Sequence, residues 1–208
     1  MKLERTQSGL VIHSAFEYDL RMWVRTRGRE RAFRERLLEP AELADGESLL
    51  DVGSATGSLA LAAKRRVGRD GAVHGIEPSA AMVARARRKA RRARLDVSFV
   101  EGSAQHLPHP NGAFDIVTCT LVLHQLPHDS WRPSLAEMRR VLRPDGRLLL
   151  VDISSDPHGE PTPHSHGHVD LARLEPLLAD VGFCISDRGP VRFPLRRFDR
   201  LRYVLAVA

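Results

Sequence analysis

The chain has 208 residues, 42% hydrophobic and 28% charged, and a formal charge of +6 from 32 basic residues, nearly all arginine, against 26 acidic ones. That length suits one folded unit with its own core, and no apolar run is long enough for a membrane span. Cys119 and Cys184 give neither a disulfide framework nor a metal-ligand spacing, and the opening MKLERTQSGLVIHSAFEYDL has no apolar secretory core, so the chain reads as cytoplasmic.

Residues 14–38 read as helical. Phe16, Leu20, Trp23 and Val24 recur at i, i+4, i+7 and i+8, and Phe33 and Leu37 resume after a break near Gly28. After the turn EPAELADGE, SLLDVG reads as a buried strand and SLALAAKRRVG as a helix closed by Gly68. AVHGIE is the next strand, and Ser79 is the expected N-cap of a basic helix. VSFVEG and FDIVTCTLVL are strands. Trp131, Leu135, Met138 and Leu142 mark an amphipathic helix, RPDG a turn and RLLLVDI a strand. Leu171, Leu174, Leu178 and Val181 set a last helix ended by Gly182, and FCISDR and RLRYVLAVA close the chain as strands.

Near-continuous apolar strands alternating with helices predict an α/β fold. The expectation is a doubly wound, Rossmann-like, seven-stranded, mostly parallel sheet with helices on both faces. Residues 1–46 would form an N-terminal helical cap and 47–208 the core of one unit over 1–208.

The basic helix carries ARARRKARRARL, residues 84–95. A nucleic-acid patch is one use for such a run. However, Met82, Val83, Ala86, Ala90 and Ala93 recur at helical spacing, with Arg85, Arg88 and Arg92 on the other side. No aromatic interleaves the arginines, as stacking on single strands requires. A solvated basic face is the preferred reading, and nucleic acid is not expected as a partner.

The stretch SLLDVGSATG raises a sharper question, because a buried strand ends in an acid and then turns through residues with almost no side chain. In a parallel sheet, ligands bind beyond the carboxyl ends of the strands. Small residues there let backbone approach a ligand, and the following helix N-terminus favours negative charge. Gly53, Ala55 and Gly57 would form that cradle. Their spacing is not the G-x-G-x-x-G of dinucleotide binders. Glu77 closes the next strand, where an acid can accept both hydroxyls of an adenosine ribose.

LLDVGSATG, VHGIEPSAAMV, VEGSAQHLPHPNGAFDIVTCTLVLHQL and LAEMRRVLRPDGRLLLVD, in this order and spacing over residues 48–152, resemble the class I S-adenosylmethionine-dependent methyltransferases. The nearest likeness is to the small ubiquinone/menaquinone-biosynthesis-like members. The resemblance implies S-adenosylmethionine as cofactor, S-adenosylhomocysteine as product and a small-molecule acceptor. It implies that Gly53, Ser54 and Gly57 line the methionine end and that Asp51 orients the loop and the cofactor's ammonium. Glu77 would hold the ribose, and Met82, Ser103 and Ala104 the adenine. Cys119 would place backbone near the methionine moiety, and Tyr18 matches an aromatic of the cap. Ala55 replaces the usual middle glycine, which a methyl group tolerates at negative φ. Ser103 replaces a frequent Asp, a weaker acceptor for the adenine amine.

His124, in LVLHQL after the fourth strand, is the candidate general base, with a structural histidine bonded to backbone as the alternative. His164, His166 and His168 alternate within DPHGEPTPHSHGHVD, residues 156–170. They could meet a metal, but a polar, proline-rich loop is the preferred reading and no metal is expected. A nicotinamide-dependent oxidoreductase is disfavoured by the loop spacing and by the absence of a lysine four residues after Tyr18 or Tyr203. A cofactor-binding protein without transfer activity stays open.

Overall fold

The computed structural model describes residues 3–6, 9–12, 14–154, 169 and 171–208. Its centre is a seven-stranded sheet. β3 (Ser48–Val52) is flanked by β4 (Ala72–Glu77) and β6 (Phe114–Thr120), both parallel to it. β5 (Ser98–Glu101) lies outside β4, and β7 (Leu142–Ile153) lies outside β6. β9 (Leu201–Val207) then inserts antiparallel between β7 and β8 (Cys184–Pro190). The chain order therefore reverses between β3 and β6, which makes that pair the switch point where a cleft opens.

Side chains on β3 alternate between two apolar layers, as a strand's period requires. Leu49 joins the layer of α2 (Glu30–Leu38), α3 (Ser58–Arg66) and α4 (Ala80–Ala93). Leu50 and Val52 join the layer of α5 (Trp131–Val141) and α6 (Leu171–Asp180). Asp51 shares the Leu49 side and is buried with it. The basic helix behaves as its pattern predicts: Met82, Val83, Ala86 and Ala90 are buried, and Ser79 caps it by accepting from the Met82 N–H.

Four features depart from the sequence reading. A short antiparallel hairpin, β1 (Leu3–Thr6) and β2 (Gly9–Ile12), precedes the helices and carries too little patterning to be seen beforehand. β7 starts at Leu142, inside the expected helix, and pairing with β6 slips across Arg143–Gly146, where Asp145 takes φ +63°. RPDG is thus a bulge within the strand. Leu121 leaves β6 at φ +60°, so that strand stops before its apolar run does. Finally, the apolar stripe that identifies α1 (Ala15–Thr26) faces solvent, and its buried residues are Met22 and Thr26.

Candidate functional site

The loop after β3 is tied to the end of β4. The N–H groups of Gly53 and Ser54 both donate to the Ile76 carbonyl, at 2.8 and 2.9 Å. Gly53 has φ +73°, and a Cβ there would sit 2.3 Å from Val122 Cγ2. Gly57 has φ +78°, and a Cβ there would meet Phe99 at 2.6 Å. Ala55 corrects an expectation: its φ is +47°, in the left-handed region, not negative. The strain is held by Glu77, whose Oε2 accepts the Ala55 N–H at 3.0 Å while Oε1 accepts the Ser79 N–H at 3.1 Å. One carboxylate thereby fixes the loop and opens α4. Burial raises its proton affinity, against the pull of those two donors.

Beneath the loop, Thr118 Oγ1 donates to Asp51 Oδ1 at 3.0 Å. Burial pushes the Asp51 carboxyl up to about 7, more than this hydrogen bond and the field of Arg34 pull it down. Arg34, buried on α2, donates through Nη2 to the Tyr18 hydroxyl at 3.3 Å and to Glu30 at 3.4 Å, while its Nε has no partner.

The cleft opens over the carboxyl ends of β3, β4, β6 and β7. Of the residues expected at a site, it is lined by Tyr18, Gly53, Glu77, Met82, Ser103, Ala104 and His124. Asp51, Ser54, Gly57 and Cys119 are buried and stand behind that wall. Gly57 serves close packing of α3 on Phe99, and Ser54 Oγ has no hydrogen-bond partner. Burial drives the Cys119 thiol well above its usual range, so it is a packed, protonated group.

His124 sits in a short 3-10 turn, Leu123–Gln125. Its Nδ1 lies 2.6 Å from Asp152 Oδ1, and its backbone N–H reaches Asp152 Oδ2 at 3.2 Å. An ionised carboxylate only accepts, so Nδ1 carries the proton and Nε2 is the free acceptor of the neutral ring. The turn is fastened at both ends. Leu121 N–H donates to the Val151 carbonyl at 2.7 Å, and Gln125 Nε2 to the Leu121 carbonyl at 2.7 Å.

The cap is latched to the core by Asp19 of α1. It accepts from Thr56 Oγ1 at 2.6 Å, Arg85 Nε at 2.8 Å and Lys89 Nζ at 3.3 Å. Lys89 also donates to Thr56 and Ser58. At Asp19 the hydrogen bonds outweigh burial and lower the carboxyl's proton affinity. At Lys89 burial outweighs the ion pair and lowers the ammonium's. Tyr18, Met22 and Arg25 of the same helix are thereby held in the cleft wall.

Sequence reasoning missed Asp152, Arg25 and Arg197. Asp152 had a signal, since it closes an apolar strand as Asp51 and Glu77 do. The arginines had none, because their place at the rim depends on how the cap and the Arg196–Phe198 turn approach the sheet. His164, His166 and His168 lie outside the described residues, among which no cluster of metal-binding side chains occurs.

Residues 49–146 match the model of a methyltransferase domain. The demethylmenaquinone methyltransferase of Thermus thermophilus is 36% identical over 143 residues, 68% of this chain and 63% of that protein. The chain thus spans less than two thirds of that relative. A crystallised S-adenosylmethionine-dependent methyltransferase from Aquifex aeolicus superposes with a TM-score of 0.75 at 21% identity, over 94% of this chain and 99% of its own. The cyclase SpnF superposes with a TM-score of 0.73 at 24% identity, over 86% and 80%. These two share the fold, which by itself does not set the chemistry. With a doubly wound sheet, a small-residue loop at its switch point and an acid closing the adjacent strand, the chain has the fold of the S-adenosylmethionine-dependent methyltransferases, and its residues 49–146 match a methyltransferase domain.

Proposed function

We propose that this chain transfers a methyl group from S-adenosylmethionine to a small, largely apolar acceptor. The observation that carries the reading is the cleft itself. One wall holds the Gly53 loop and the Glu77 carboxylate, and another holds a histidine oriented by an acid.

The residues suit the cofactor. Among the described residues Glu77 has no cationic partner, and each of its oxygens keeps lone-pair capacity after taking one backbone N–H, as two ribose hydroxyls would need. Met82, Ile76 and Ala104 offer an apolar slot for adenine, with the Ser103 hydroxyl beside it. Gly53 would face the methionine end, and Tyr18 would close over the site. Asp51 would act from behind the loop. Bound S-adenosylmethionine supplies an electrophilic methyl on a sulfonium, with S-adenosylhomocysteine as product.

The chain's own part is proximity, dryness and a proton acceptor. Leu121, Val122, Leu126, Ile153, Phe198 and Leu201 exclude water around the acceptor. His124 Nε2 takes the proton from the acceptor's nucleophilic atom, and Asp152 steadies the imidazolium that results. The likeness to the Thermus demethylmenaquinone methyltransferase makes a demethylated quinone the first acceptor to try.

Calorimetry with S-adenosylmethionine and S-adenosylhomocysteine tests the cofactor. Failure to bind either at about millimolar concentration, a Kd worth only about 4 kcal/mol, would sink the reading. A cell extract incubated with protein and methyl-labelled cofactor, read by mass spectrometry, tests transfer. Binding without any labelled product would leave a cofactor-binding protein in its place.

A further inference from the structure

The outer face of α1 has no counterpart within the described chain. Phe16, Leu20, Trp23 and Val24 are 68%, 49%, 59% and 54% exposed, and they are the exposed large hydrophobic side chains among the described residues. Their spacing puts all of them on one side of a single helix. Globular proteins scatter exposed apolar groups singly, and a contiguous stripe marks something that covers it.

The charge around the stripe identifies what. Arg21 and Arg27 are exposed on α1 and the turn after it, and Arg31 is exposed at the start of α2; among the described residues none has an ion-pair partner. Of the nearby acids, Asp19 is engaged by Arg85 and Lys89 and Glu30 by Arg34, and Glu17 is exposed on α1 beside Phe16. Those same Asp19 bonds draw α4 alongside α1. One turn beyond Arg85 and Lys89, Arg88 and Arg92 are exposed on the same helix, also without ion-pair partners among the described residues. An apolar stripe of Phe, Leu, Trp and Val bordered by unpaired arginines is the composition of a helix that lies in the headgroup layer of a membrane. A second copy fits worse, because face-to-face packing would set each arginine border against another like it.

We infer that α1 docks the protein flat on an anionic lipid bilayer, inserting Phe16, Leu20, Trp23 and Val24 between headgroups that the surrounding arginines bind. The opposite side of the helix, through Tyr18, Met22 and Arg25, lines the cleft. Docking therefore puts the cleft within one helix diameter of the lipid, where an apolar acceptor would be concentrated. Membrane docking itself needs no methyl transfer, so its test is independent of the activity.

The test is flotation of the whole protein with vesicles of phosphatidylcholine alone or with phosphatidylglycerol added. Trp23 emission is read alongside, since Trp131 is buried. Binding to the anionic vesicles should exceed binding to neutral ones at least about tenfold and fall with added salt, and Trp23 emission should shift to the blue. L20S/W23S should lose at least about tenfold in affinity. R21Q/R27Q should lose about twenty-five-fold, near fivefold per arginine, on anionic vesicles only. Circular dichroism should match wild type for both, since all four side chains are exposed. Absence of wild-type protein from both kinds of vesicle would overturn the assignment. So would concentration-dependent dimerisation in sedimentation that L20S/W23S abolishes, because it would give the stripe to a second copy.

Discussion

His124 Nδ1 and Asp152 Oδ1 lie 2.6 Å apart, joining the turn after β6 to the end of β7 across the mouth of the cleft. The acid belongs to the adjacent parallel strand, 28 residues on in sequence, so only the sheet brings the pair together. The bond selects the tautomer and aims the ring, and each role has a separate signature.

Replacing Asp152 by Asn should lower turnover about 10²–10⁴-fold, as should His124→Ala, with little change in S-adenosylhomocysteine affinity. Nitrogen-15 spectra of the ligand-free protein should show His124 as the Nδ1–H tautomer in wild type and a mixture in Asp152→Asn. Full turnover in His124→Ala would remove the base and leave catalysis to alignment alone.

Glu77→Gln should weaken S-adenosylhomocysteine binding by about 2–3 kcal/mol in calorimetry, the scale of one or two charge-assisted hydrogen bonds. The amide can accept only one of the two backbone N–H groups that Glu77 now takes, so loop order should fall as well. An unchanged dissociation constant would mean that the ribose is held elsewhere.

At φ +47°, Ala55 carries about 1–2 kcal/mol of left-handed strain that glycine would not. Ala55→Gly should therefore stabilise the protein by about 1 kcal/mol in urea unfolding, after the added freedom of the unfolded chain is subtracted. Gly53→Ala should do the reverse, because its Cβ would press on Val122. Gly53→Ala/Val122→Ala should recover part of that loss. Equal tolerance at both positions would contradict the cradle.

Asp51 gives a pH signature. Its folded carboxyl titrates near about 7 against an ordinary 3.8, so between those values the folded chain holds a proton that the unfolded chain has released. Stability must therefore fall as pH rises through that window and level off above it. Asp51→Asn keeps an acceptor for Thr118 and never ionises. It should unfold at higher urea than wild type near about pH 8, by a few kcal/mol, and the gain should shrink toward about pH 4. A pH-independent difference between the two proteins would refute the account.

Asp19→Ala should loosen the cap. It leaves Lys89 mostly buried without its carboxylate and removes the acceptor for Thr56 and Arg85. A loss of about 2 kcal/mol is expected, with faster amide exchange in α1 than in β3. Uniform acceleration through both elements would show that α1 opens only with the whole fold.

The sequence by itself determined the order of strands and helices from Ser48 onward, because fully buried strands and one-sided helices leave different periods in the chain. It also placed the Gly53 loop, Glu77 and His124 at strand ends, and in a parallel sheet strand ends are where a site forms. Only the tertiary structure decided the rest. The sign of φ at Ala55 depends on the Glu77 carboxylate that pins its N–H. Asp152 becomes the partner of His124 through neighbouring strands, Asp51 and Cys119 fall behind the cleft wall because alternate strand residues face opposite layers, and Gly57 does so because it seats the start of α3 on Phe99. The stripe on α1 shows the limit most plainly: periodicity reveals that a helix has an apolar side, but the three polar bonds of Asp19 turn that side outward.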